Sequence, residues 1–227
     1  PYLTELYCGH AGASSHNYRM TSLDVTHNPE LQRLHCNYNS FTDLDVSQNP
    51  KLLSLNCANN LLTHIDISNN PNLQTLDVGN NLMDFATLPS PRETFIEYYY
   101  TQEPLQVERS YPEGTVLDFS DKVLRPGTET MGFLYYISEE YPRDPMPLDP
   151  SYYSWDNGKV TLNAAYADSV MVVFANSELQ EYPMTTRKFM VKPASEYGRD
   201  NVAASMRFSS TVTDISMNIG LGGATPE

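Results

Sequence analysis

Between residues 31 and 86 the hydrophobic and polar positions recur with a period of 21. LQRLHCNYNSFTDLDVSQNPK is followed by LLSLNCANNLLTHIDISNNPN and then by LQTLDVGNNLMDFA, where the pattern fades. Leucine recurs at 34, 55 and 76, a small apolar residue at Cys36, Cys57 and Val78, and asparagine at 39, 60 and 81. A degenerate earlier copy, LTELYC, occupies residues 3–8. A fixed period of this length predicts a solenoid whose coils bury their cores only against one another.

Each copy reads LxxLxCxxNx(F/L)xx(L/I)DVSxNP. The LxxLxCxx part alternates as a strand does, so Leu34 and Cys36 point inward while Arg33, His35 and Asn37 point outward. Successive copies then pair as a parallel ladder about 4.8 Å apart. Asn39, Asn60 and Asn81 sit where the chain leaves the strand, and a buried amide there can satisfy backbone groups of adjacent coils. Asn28, Asn49 and Asn70, each followed by proline, mark the opposite corner. The (L/I)DVS series at 23–25, 44–46 and 65–67 predicts a second extended segment in each coil, with no helix and a thin cross-section. From Leu6 to Leu34 the spacing is 28 instead of 21, so GHAGASSHNY, residues 9–18, is expected to loop out at one edge.

Past residue 88 the texture changes. Short β-rich runs alternate with turn clusters at 95–101, 115–119, 130–137, 152–156, 159–162, 169–174 and 187–191. Asn157-Gly158, between two such runs, predicts a tight type I′ hairpin. Seven short strands at this spacing predict an antiparallel β-sandwich of immunoglobulin-like type. The fold class is thus mainly β. Its expected domains are a solenoid over 1–90, a sandwich over 91–193 and a tail over 194–227. The tail either completes the sandwich or opens a further β-module. Tyrosines come in close pairs, Tyr98 and Tyr100, Tyr135 and Tyr136, Tyr152 and Tyr153. Neighbours on a strand take opposite faces, so one of each consecutive pair is expected in the core.

Charge narrows the partners. The chain has 28 acidic against 14 basic side chains, a net charge of −14. That balance disfavours nucleic acid and anionic membrane surfaces. No apolar run reaches the roughly 18–20 residues that span a bilayer, so membrane association would need an anchor outside this sequence. The chain starts at Pro1 directly within a repeat, as expected of a processed or trimmed fragment, and the missing signal peptide says nothing of location.

Candidate chemistry adds little. Cys8, Cys36 and Cys57 share one repeat position that Val78 fills in the last copy, which marks a small buried hydrophobe. Parallel side chains on one ladder cannot surround a metal ion. Asp24, Asp45 and Asp66 also stack. Solvated carboxylates bonded to nearby backbone are the expectation there, with a calcium ion as the alternative. The five histidines, at 10, 16, 27, 35 and 64, lie in the repeat half without paired ligands. There is no HExxH, GxSxG or Walker pattern, so no enzymatic activity and no cofactor are expected.

The triple register resembles the leucine-rich-repeat family, specifically the short 21-residue class of secreted surface proteins in gut and oral bacteria, with an internalin-like layout. The resemblance covers residues 1 to about 90. The second half looks like the immunoglobulin-like β-domains that follow such repeats. In that family the outward strand positions form the binding face. Carried over, these are Glu5 and Tyr7 in the first copy, then Arg33, His35 and Asn37, then Ser54, Asn56 and Ala58, then Thr75, Asp77 and Gly79. The face is polar with a single tyrosine. The resemblance implies a bacterial surface or secreted adhesin that recognises an extracellular protein. Glycan binding through the tyrosine-rich half and a purely structural stalk are the alternatives.

Overall fold

The computed structural model describes residues 2–10, 19–138 and 145–196. The GHAGASSHNY loop beyond His10 and nearly all of the tail lie outside them. The chain is mainly β. The leucine and cysteine positions build five strands, β1 (Glu5–Tyr7), β2 (Arg33–His35), β3 (Ser54–Asn56), β4 (Thr75–Asp77) and β5 (Glu97–Tyr99). They pair in sequence order, all parallel, in one sheet. Leu6, Leu34, Leu55, Leu76 and Tyr98 face one another across it. Leu34, Leu55 and Leu76 are wholly buried, as are Cys36, Cys57 and Val78 behind them.

Two polar ladders hold the coils in register. The Nδ2 of Asn60 donates to the carbonyls of Cys36 (3.2 Å) and Cys57 (3.0 Å), one in each coil, while its Oδ1 accepts from the Phe41 N–H (3.1 Å). Asn39 and Asn81 repeat this geometry one coil earlier and one later. The preceding residue, Tyr38, Asn59 or Asn80, adopts a positive φ of 52–58° that swings the chain off the strand. At the other corner Asn49 donates to Val25 and Asn28, and Asn70 donates to Val46 and Asn49, each at 2.9 Å. These bonds account for the (L/I)DVS series. Its Val25, Val46 and Ile67 are buried, yet the series forms no second sheet, because side-chain amides reach carbonyls that a strand ladder would otherwise take.

Residues 95–101 depart from the sequence expectation. They do not begin the second region but close the repeat sheet as β5, paired with β4 through Leu76 and Tyr98. Between strand and corner this coil is one residue short, and glutamine replaces asparagine. The longer Gln102 still donates to Val78 O (2.9 Å) and Tyr100 O (3.0 Å) and accepts from Met83 N–H (3.1 Å). Arg92 ends the second ladder in the same way, its guanidinium reaching Ile67 O (2.9 Å) and Asn70 O (3.2 Å).

The second region adds β6 (Ser110–Pro112), β7 (Val116–Asp118), a one-turn helix α1 (Ser120–Val123), β8 (Thr130–Ile137) and β9 (Met146–Pro147). These are followed by β10 (Tyr153–Asp156), β11 (Lys159–Leu162), β12 (Tyr166–Asn176), β13 (Met184–Thr185) and β14 (Phe189–Lys192). One sheet runs β10-β11-β7 and the other β6-β14-β12-β8-β9, with β13 also on β12. Among the described residues the strand pairs of this region are antiparallel except one. β6 lies parallel to β14, with Met190 N–H bonded to Arg109 O and Glu113 N–H to Lys192 O, both 2.9 Å. A three-residue strand ending in proline carries no alternation from which to foresee this. Trp155 of the first sheet meets Phe174 of the second (6.0 Å between rings), and Gly132 lies so close beneath the indole that a Cβ there would overlap it. Asn157 and Gly158 take φ of 44° and 88°, both positive as a type I′ turn requires.

The candidate binding face of the repeats

Side chains alternate along β1–β5, so every second one leaves the core. The pairing register lines the outward ones up in rows. One row runs Glu5, Arg33, Ser54, Thr75, Glu97, and the other runs Tyr7, His35, Asn56, Asp77, Tyr99. Four strand spacings of about 4.8 Å separate the two tyrosines by about 19 Å. Tyr7 is 59% exposed and Tyr99 45%. The face therefore carries an exposed aromatic ring at each end with amide, carboxylate and imidazole between.

The first end is cross-braced. Arg33 Nη1 donates to Glu5 Oε1, and the Tyr7 hydroxyl donates to Glu5 Oε2 at 3.1 Å. The Tyr7 ring meets the His35 ring edge-on at 4.8 Å, and His35 Nε2 lies 3.3 Å from Ser54 Oγ. Further along, Asn56 Oδ1 accepts from Ala58 N–H (3.2 Å) and Asp77 Oδ1 from Gly79 N–H (3.0 Å). These local bonds fix both side chains against the strand. Burial raises the Asp77 carboxyl above its ordinary value, opposed by the Gly79 N–H and by the nearby His35. Glu5, Tyr7, Arg33, His35, Asn56 and Asp77 are thus held in place by their neighbours.

Of the residues expected on this face, Glu5, Tyr7, Arg33, His35, Ser54, Asn56, Thr75 and Asp77 stand in the two rows. Asn37 lies just past β2, half-buried, with its carbonyl accepting from His10 N–H at 3.1 Å. Ala58 and Gly79 are corrected: both are buried, because the chain turns away at the left-handed Asn59 and Asn80 directly after them. Glu97 and Tyr99 were not foreseen. The available signal was an amide at 102, which is 81 + 21.

Behind the face Cys8, Cys36 and Cys57 are free thiols. Burial pushes the Cys36 thiol up to about 12 and that of Cys57 well above its ordinary value, so both stay protonated. On the (L/I)DVS side Asp24, Asp45 and Asp66 accept backbone N–H bonds of 2.8–2.9 Å from Thr26, Ser47 and Ser68. Bonds from the Thr26 and Ser47 hydroxyls and the Ser68 N–H hold these carboxyls below the ordinary range. Among the described residues no three His, Cys, Asp or Glu gather where they could hold a metal ion, and no helix is long and apolar enough to cross a membrane. In the second region Tyr136 and Tyr152 both pack on the Tyr166 ring, at 5.4 and 5.2 Å, and all three are partly buried.

No protein-family model and no curated protein matches the chain. Among solved structures it is similar to the functional domain of InlJ from Listeria monocytogenes, described as including a cysteine ladder. The identity is 24% and the TM-score 0.43, over 76% of this chain and 36% of that one. The chain thus spans about a third of the length of that solved chain.

Proposed function

We propose that this chain is a non-enzymatic binding module, a leucine-rich-repeat solenoid followed by a β-sandwich, from a bacterial surface or secreted protein. It engages an extracellular protein through the outward face of β1–β5. The observation that carries this proposal is the row from Tyr7 to Tyr99, five side chains in register with a tyrosine at each end. Tyrosine is enriched at interface hot spots because it offers large apolar area with a polar tip and few rotatable bonds. Rigid strands hold these groups, and an acidic chain favours a partner with complementary positive charge.

The test is affinity capture from extracts of host and bacterial surfaces, using the whole chain and a Tyr7→Ala/Tyr99→Ala variant. Both tyrosines are exposed and outside the core, so the variant keeps its fold. Truncating two hot-spot rings is expected to weaken capture by about a hundredfold. An identical set of partners, captured equally well by both proteins, would refute the proposal.

A further inference from the structure

A second site lies away from the strand face. Where the last coils meet the second region, a cavity of about 570 Å³ opens between residues 103–107 and β7. Its inner wall is apolar, made by Met83, Leu117 and Phe119 from below and Leu105, Val107 and Tyr111 from the side. Leu82 and Val116 stand at the mouth, 49% and 54% exposed.

One bank of this cavity is a sheet edge. Among the described residues β7 pairs with β11 only, in the order β10-β11-β7. Leu162 N–H donates to Thr115 O and Phe119 N–H to Gly158 O, so the Thr115 carbonyl, the Phe119 N–H and Leu117 between them face β11. The alternation turns the N–H and C=O of Val116 and Asp118 toward the cavity side. Across the gap, Leu105 is already committed, donating to Thr185 O (2.8 Å) and accepting from Arg187 N–H (2.9 Å). Gln106 Nε2 covers the Pro104 carbonyl at 3.2 Å. That bank offers side chains, while β7 offers backbone.

The surrounding charge is acidic. Glu103 and Asp118 line the cavity, with Asp84 and Asp121 beside them. The cations nearby are engaged, Lys122 with Asp84 and Asp121 (3.8 Å each) and Lys159 with Asp118 (3.4 Å).

From these features we infer that the cavity is a β-augmentation site for an extended peptide. The peptide adds as a strand to the β7 edge, sets alternate apolar side chains on Leu117 and Phe119, and carries lysine or arginine at its flanks. Backbone bonding to Val116 and Asp118 supplies affinity, the cavity selects alternate side chains, and the acidic rim selects the flanks. A compact apolar ligand would leave the edge groups unpaired. A second copy of this chain would bring net charge of −14 against the acidic rim.

The experiment titrates the whole chain with dye-labelled heptapeptides that alternate threonine with valine, leucine or phenylalanine and carry lysine at both ends. Fluorescence anisotropy reads affinity, and amide hydrogen exchange reads the edge. Exchange at Val116 and Asp118 is expected to slow on binding. Methylating alternate backbone nitrogens of the peptide is expected to weaken it about tenfold, and Val116→Pro should do the same, since it removes an outward N–H without touching β11. Glu103→Lys, a surface change that leaves the fold intact, is expected to weaken binding about threefold, as is replacing the flanking lysines with glutamate. If none of the lysine-flanked peptides binds, or binding ignores both N-methylation and Glu103→Lys, the inference is wrong.

Discussion

The repeat stack and the second region solve one problem, satisfying backbone groups in a β-rich chain, by different means. In the stack, strands are three residues long and side-chain donors carry the register, the amides of Asn39, Asn60, Asn81 and Gln102 on one side and the amides of Asn49 and Asn70 with the Arg92 guanidinium on the other. In the second region long strands do so themselves, β12 pairing with β8 over eight residues, and side chains mostly fill space. Polar ladders can be read at fixed spacing. Pairing between distant strands cannot, because any alternating run is compatible with several neighbours.

The two regions are nonetheless stitched together. Arg125, 8% exposed, donates to Phe85 O (2.8 Å), Leu88 O (2.7 Å), Ser90 Oγ (2.5 Å) and Glu178 (2.5 Å). Tyr100 at the end of the stack accepts the Glu181 N–H through its hydroxyl (3.1 Å). Buried side chains form one continuous cluster from Val25 to Val191.

Breaking that seam should have the largest effect. Arg125→Ala leaves two carbonyls and a carboxylate without their partner and is expected to cost about 4 kcal/mol. Chemical denaturation followed by tryptophan and by far-UV signals should then show two transitions, since Trp155 reports only the second region. Damage within the stack comes next. Asn60→Ala strands the Phe41 N–H and takes one of two amide donors from each of Cys36 O and Cys57 O, which keep Asn39 and Asn81, and is expected to cost about 3 kcal/mol, read as a lower denaturation midpoint. In the second region Gly158→Ala forces a Cβ at φ 88° against the Ser120 backbone, for a loss of about 2 kcal/mol by the same measure.

The smallest effect separates the two faces of the stack by pH. Burial raises Asp77, so the folded state holds its proton more tightly than the unfolded chain, and stability falls as pH rises from the ordinary aspartate value of 3.8 upward. Asp24, Asp45 and Asp66 are depressed and act in the opposite sense, losing stability as pH falls below that value. Asp77→Asn is therefore expected to remove the first slope and leave the second, as melting temperature against pH would show.

Much of the stack was legible. Leucines at 34, 55 and 76 predicted the parallel sheet, and Cys36, Cys57 and Val78 predicted its buried second row. The last coil was not, because its strand comes 22 residues after the one before (98 − 76), off the period of 21, and its ladder uses glutamine and arginine in place of asparagine. In the second region Asn157-Gly158 announced its hairpin, and 130–137 and 159–162 match β8 and β11 residue for residue. The parallel β6–β14 pair was hidden because nothing local encodes a partner 80 residues away (190 − 110). On the candidate face alternation turned Arg33 and His35 outward, and the family resemblance carried the same positions to the other copies from Tyr7 to Asp77. Tyr99 needed the fifth strand, and with it the face gains its second exposed aromatic.

The central claim, that β1–β5 present the binding surface, can be tested by placing a photo-crosslinking residue at Asn56 and, in a second protein, at Gln48 on the opposite side of the coil. Exposed to surface extracts and irradiated, the Asn56 protein should capture a discrete partner and the Gln48 protein none. Capture from Gln48 alone, or equally from both, would contradict the account.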